Sequence, residues 1–490
     1  MKVNFKIISL LIITLAITGN DCIASTQDYS PYQVAFESYK TYDNSRSYLL
    51  GEDSISRPLL IHFWYPVLET EGHALNFKHY IDLIAQREDY EKSRSEIDAF
   101  SFNYVKAYSD HAKKHLGLDT SINAKDILDQ RVYAKGGIPT QNIDTAFPLL
   151  IYAPSNGKAS PQSHMLFEYL ASHGYMVLSV ASAGPNSIQR ERFDKSTIAQ
   201  VTDMEYMLDF VVDSLHIHYN KLGLFGFSSG GIANALFQMR NGNVDAILSL
   251  DGGQEYSEYM FLYEMKEFDL EKTNVPYASV VNNYENYSIY PMVHSVITPE
   301  KYLFRMSLLN HNGFISYWQF FASCSSIPNA SKEVTSFEYL SEFSLGFFNK
   351  YLKADPATFD QKYLYGPENE YIQSVDLSFA HITALVQMML DKDFHSADSM
   401  IAVHQEVFFE ENGQIDILGR MIIDTPMAVW LYHKQLEYQP ESWRAHYGLG
   451  YAYKSAGEMS LAKISLLKAR ELNPEHKEIS ELLKIINQAE

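Results

Sequence analysis

The chain reads as an α/β protein: a doubly wound, mostly parallel sheet with a helical insert, followed by an all-α C-terminal repeat domain. Three observations predict this. Short apolar runs at 148–153, 174–180, 222–225, 246–250 and 277–281 alternate with helix-like stretches, as strands of a parallel sheet do when helices cross between them. A glycine-rich turn, Gly226-Phe-Ser-Ser-Gly230, joins one such run to a helix-like segment. Beyond about Asp355 a loop rich in Pro, Asp and Gly gives way to helical periodicity alone.

The elements follow in order. Lys2 and Lys6 precede an apolar stretch at 7–17, and small residues follow at Ala24 and Ser25. That layout predicts a secretory signal peptide over 1–24, with Cys22 at the minus-three position. A lipoprotein signal wants a small residue before its cysteine, and Asp21 stands there. The mature chain is then an exported protein, periplasmic or secreted, with Cys324 its remaining cysteine and no intrachain disulfide. Phe320, Phe321 and Ala322 beside Cys324 predict a buried structural thiol. Residues 57–67, R-P-L-L-I-H-F-W-Y-P-V, form a strand closed by a proline.

From 69 to 144 the pattern is polar and helix-like, with aromatics at Phe77, Tyr80, Tyr90, Phe100, Phe102, Tyr104 and Tyr108. This insert is either a lid suited to an apolar or aromatic substrate or an edge-covering excursion. A strand at 148–153 leads into Pro154-Ser-Asn-Gly157, a helix spans 164–173, a strand ends at Val180, and an amphipathic helix spans 197–215. After the glycine-rich turn come a helix at 232–239, a strand at 246–250 ending in Asp251-Gly-Gly253, and strands at 277–281 and 303–309. The expected division is a catalytic-type domain over 25–354, a linker over 355–372 and a helical domain over 373–490. In that tail Tyr447-Gly-Leu-Gly-Tyr-Ala-Tyr453, Gly457, Ala462, Leu466, Ala469 and Pro474 occupy the positions of one tetratricopeptide-like repeat of about 34 residues. Leu418-Gly419, Ala428 and Pro440 resemble a degenerate copy, and Ala397 marks a third. The tail is expected to pack on the preceding domain or on a second subunit, or to bind a protein partner.

Composition narrows the function. A net charge of −21 without a basic block argues against nucleic acid and against docking to anionic lipid. Beyond the leader, no apolar run reaches membrane-spanning length. There is no phosphate-cradling loop or dinucleotide fingerprint, and His111 and His115 lack a third ligand, so no metal or organic cofactor is expected.

The chemistry lies in the glycine-rich turn. A serine at a sharp strand-to-helix turn projects its hydroxyl from the sheet edge, and glycines on either side remove Cβ atoms that would clash. Ser228 is therefore the candidate nucleophile. It needs a histidine to take its proton and a carboxylate to orient that histidine. Asp251, at the end of the next strand, is the candidate acid, and Glu285, in Asn282-Asn-Tyr-Glu285, is the alternative acid. His311 follows the apolar run at 303–309 and is the candidate base, with His294 the alternative. An oxyanion needs two backbone donors. The amide of Ser229 supplies one and Asn156 is the candidate for the other, since Pro154 has no N–H.

Together these residues resemble the platelet-activating-factor acetylhydrolase-like branch of the α/β-hydrolases, with dienelactone-hydrolase-like enzymes as near neighbours. The resemblance spans roughly 57–352. It rests on Trp64-Tyr-Pro66, Leu170-Ala-Ser-His-Gly-Tyr175, the Gly226–Gly231 turn, Leu250-Asp-Gly252 and His311-Asn-Gly-Phe314. The interval from position 228 to position 251 is 23 residues, similar to that branch. It implies a Ser228–Asp251–His311 triad and a serine esterase cleaving carboxylic esters of a small-molecule substrate, short-acyl or lipid-like. The chain departs from the family in carrying Pro154-Ser155 where His-Gly is common. The rival expectations are an inactive hydrolase-fold scaffold whose tail binds a partner, and an amidase or peptidase using the same residues.

Overall fold

The computed structural model describes residues 29, 31–68, 72–116, 123–138, 140, 147–155, 158–188, 193–256, 262, 265, 267–282, 292–293, 296, 298, 300–324, 332–367, 369–375, 385, 388, 393–403, 405, 408 and 425–489. The leader over 1–24, Asn156, Glu285, His294 and Leu418-Gly419 lie outside them, as do the side chains of His111, His115 and Cys324.

One 11-stranded sheet organises the described residues. Its strands are β1 (Gln33–Leu50), β2 (Asp53–Val67), β3 (His73–Asn76), β4 (Arg131–Gly136), β5 (Leu149–Ala153), β6 (Met176–Val180), β7 (Leu222–Phe227), β8 (Ala246–Leu250), β9 (Tyr277–Val281), β10 (Lys301–Arg305) and β11 (Gln373–Ser374). The spatial order is β11-β10-β9-β8-β7-β5-β6-β2-β1-β4-β3. From β10 to β6 every pair is parallel. β2 pairs antiparallel with β6 and with β1, and β11 antiparallel with β10.

Side chains of the central strands alternate between two apolar layers, because successive Cβ atoms point to opposite faces. Leu149, Ile151 and Ala153 join one layer and Leu150 and Tyr152 the other. The first layer is covered by α5 (Phe193–Asp209), through Val201, Met204 and Met207, and by α6 (Ser229–Arg240), through Ile232, Leu236 and Phe237. The second is covered by α4 (His164–Ser172), through Leu166, Phe167 and Leu170, and by a long helix, Lys332–Leu352, through Phe343, Phe347 and Phe348. Burial on both faces explains why these strands read as continuous apolar runs.

The sheet extends beyond what the sequence pattern announces. β1, 18 residues long, pairs along β2 and was not anticipated. The insert, expected to be helical, also contains β3 and β4, and these extend the sheet past β1. It further holds α1 (Phe77–Ala85), α2 (Arg94–Leu116) and α3 (Ala124–Leu128). β10 ends at Arg305, and the apolar residues Met306 and Leu309 beyond it are buried in irregular chain rather than strand. The stretch expected as a linker carries Phe359 and Tyr363 one helical turn apart, and their rings pack on Phe304 and Phe343. With β11 hydrogen-bonded to β10, the sheet domain runs at least to Ser374, past the expected boundary at 354.

The C-terminal region is helical. Helices Thr425–Tyr438, Trp443–Ser455, Met459–Leu472 and Lys477–Ala489 follow one another. Small residues let them approach: a Cβ on Gly448 would lie 2.1 Å from Cζ of Tyr432, and one on Gly450 would lie 2.5 Å from Cγ of Leu466. Gly457, at φ +80°, makes the left-handed turn between the second and third of these helices. Among the described residues no helix is long and apolar enough to cross a membrane.

Candidate active site

Parallel pairing brings the carboxyl ends of neighbouring strands to one edge. Ala153 of β5 is level with Gly226 of β7, Phe227 with Leu250 of β8, and Leu250 with Val280 of β9. The residues that leave these strands therefore emerge side by side, although up to 83 positions separate the hydrogen-bonded residues in sequence.

Ser228 sits between β7 and α6 at φ 56°, ψ −123°, a conformation costly for a residue with a Cβ. Glycine makes the turn possible. A Cβ on Gly230 would lie 1.9 Å from the carbonyl oxygen of Ala153, and one on Gly226 would lie 2.7 Å from the carbonyl carbon of Gly230. The backbone is also tied down: the Ser228 amide donates to Leu250 O at 3.1 Å, and Ser228 O accepts from the amides of Gly231 (3.0 Å) and Gly253 (2.9 Å). Asp251 is a second strained residue, at φ 49°, and its amide donates to Val280 O at 2.7 Å.

His311 opens a short 3-10 turn, His311–Phe314, capped by the Asn310 side chain, which accepts from the Gly313 amide at 3.0 Å. Its ring packs on Phe227 with centroids 4.6 Å apart. Nδ1 lies 2.5 Å from Oδ2 of Asp251, and Nε2 lies 3.1 Å from Oγ of Ser228. With Nδ1–H donating to the carboxylate, Nε2 is left to accept the serine proton. The Asp251 side chain is fully buried and that of His311 is 39% exposed, so the chain of bonds runs from core to surface.

Two further residues complete the carboxylate's surroundings, and neither was singled out from sequence. The Asn282 amide donates to Oδ1 of Asp251 at 3.0 Å, and its side-chain Nδ2 donates to Oδ2 at 2.8 Å. The Tyr256 hydroxyl also donates to Oδ1. Only an ionised carboxylate accepts from all of these and from an imidazole at once. A signal for Asn282 did exist: it is the first residue past β9, so it stands beside the first residue past β8. Below it the fully buried Glu255 accepts from the Tyr277 hydroxyl at 2.5 Å and the Val293 amide at 3.3 Å. Burial pushes its carboxyl up to about 7.

On the other side of Ser228 the chain leaving β5 begins with Pro154, whose carbonyl accepts from Gln200 Nε2 at 2.7 Å. The Lys158 amide donates to Ser155 O at 2.9 Å. Ser229 is buried as the first residue of α6, so its amide is one of those at the helix N-terminus. The structure thus brings Ser228, Asp251 and His311 together beside Ser229, while Asn156 and Glu285 lie outside the described residues.

No protein-family model matches the chain, and no curated protein matches it. Among solved structures it is similar to a ferulic acid esterase from Streptomyces cinnamoneus, at 15% identity and a TM-score of 0.50, over 72% of this chain and 98% of that one. At this identity the likeness concerns the fold, which is of the α/β-hydrolase type.

Proposed function

We propose that the protein is an exported serine hydrolase that cleaves carboxylic esters through an acyl-enzyme. The observation that carries the reading is the continuous hydrogen-bonded chain Ser228–His311–Asp251 on two strained turns. Oγ of Ser228 attacks the ester carbon as its proton passes to Nε2 of His311. The tetrahedral oxyanion is held by the Ser229 amide and by a second donor, for which Asn156 is the candidate. The bond to the alcohol oxygen breaks, and His311 returns the proton to that leaving group. Water then attacks the acyl-enzyme with His311 as base, releasing the acid and restoring Ser228. Asp251 orients the imidazole and stabilises its charged form. Signal cleavage after Ala24 and a periplasmic or secreted location belong to the same proposal.

The ferulic acid esterase likeness supports including aryl-acid esters beside short-acyl and lipid-like ones in the test series. Purified mature protein should hydrolyse at least one of p-nitrophenyl acetate, p-nitrophenyl octanoate and a methyl hydroxycinnamate. Ser228→Ala should reduce that rate by at least about 10³-fold. Turnover that survives in Ser228→Ala would reject the mechanism. For the helical tail we propose binding of a protein partner or a second subunit, because Leu461, Ile464 and Leu467 on Met459–Leu472 are exposed apolar residues.

A further inference from the structure

We propose that Gln162 is a positioning residue through which the insert fixes the chain leaving β5 beside Ser228, an inference that rests on the acyl-enzyme reading. Gln162 belongs to the connection between β5 and α4 and is 2% exposed. Its Nε2 donates to the hydroxyl of Tyr104 at 2.8 Å and to that of Tyr108 at 3.0 Å, both on α2. A carboxamide nitrogen carries two hydrogens, and the two phenols take both. Lys158, in the same connection, donates to the Tyr108 hydroxyl at 3.2 Å.

The same short segment is joined to the histidine side. Ser316, five positions past His311 and fully buried, donates from Oγ to Gln162 O at 3.1 Å and accepts from the Met165 amide at 3.3 Å. The next residue, Tyr317, stacks its ring on Tyr108 with centroids 4.6 Å apart. Gln162 is therefore the point where α2, the connection after β5 and the chain after His311 meet. These bonds make α2 a brace rather than a mobile lid. The start of this connection lies against the serine turn, where a Cβ on Gly230 would come 1.9 Å from Ala153 O. An oxyanion donor such as the Ser229 amide works only if it is already aimed, so releasing the brace lowers transition-state binding more than substrate binding.

The test compares wild type with Gln162→Met and with the Tyr104→Phe, Tyr108→Phe double variant, which removes the two acceptors and leaves the rings. Readouts are kcat and KM on the preferred ester and the Ki of a trifluoromethyl ketone, whose adduct places an oxyanion in the site. In either variant kcat should fall about 10- to 50-fold with KM within about twofold, and Ki should rise by a factor similar to the fall in kcat. A merely structural role would lower the melting temperature and leave kcat and Ki unchanged, which would overturn the proposal. A folded wild type without turnover or inhibition would overturn the acyl-enzyme reading itself and this inference with it.

Discussion

The two sides of Ser228 are built differently. On the acid side the holding bonds are local to the sheet edge. Asp251 is gripped by Asn282 from the adjacent strand end and by Tyr256 from its own turn. On the other side the chain leaving β5 is held by side chains brought from afar: Gln200 of α5, Tyr104 and Tyr108 of α2, and Ser316 beyond His311. The acid geometry thus comes with the sheet itself, whereas the opposing wall depends on an insert. One fold can therefore keep its proton-transfer chain constant while an insert reshapes what the serine meets.

Perturbing each side should separate them. The largest effect is expected from Asp251→Asn, which leaves the shape and favours the wrong imidazole tautomer; kcat should fall by about 10⁴-fold with KM little changed. Asn282→Ala should come next. It removes one charge-assisted bond to a buried carboxylate, worth about 1.5–3 kcal/mol, so kcat should fall roughly 10- to 100-fold. If Asn282→Ala matched wild type in kcat, the acid side would not owe its order to the neighbouring strand end.

A smaller effect concerns stability rather than rate. Burial raises the Glu255 carboxyl to about 7, and it does the same to Glu168, which accepts from Tyr80, Tyr133 and Ala134. An unfolded chain releases these protons near 4.3, so the folded state holds more protons between about pH 4 and pH 7. Stability from each group is full below that window and is lost as pH rises through about 7, by an amount on the order of 3 kcal/mol. Melting temperatures of Glu255→Gln should accordingly fall less between pH 5 and pH 8 than those of wild type. An equal fall in both would refute the assignment.

Much of the fold was legible because parallel strands buried on both faces are apolar throughout, and because Gly226 and Gly230 are required sterically at the turn. Ser228, Asp251 and His311 were legible because each follows an apolar run that the parallel sheet brings to the same edge. β1, β3 and β4 were not, since a strand at or near a sheet's margin is only partly buried and mixes polar with apolar residues. Asn282, Tyr256 and Gln162 carry no motif either. Their partners lie 31, 5 and up to 154 positions away, so no local pattern announces the bonds themselves.

Whether Ser228 is an activated nucleophile is settled by covalent labelling. A fluorophosphonate probe applied to folded protein, followed by peptide mass spectrometry, should modify Ser228 in the wild type and in Asn282→Ala, more slowly in the latter. Ser228→Ala should remain unlabelled. A folded wild type that takes up no label, or takes it up at another residue, would contradict the acyl-enzyme function.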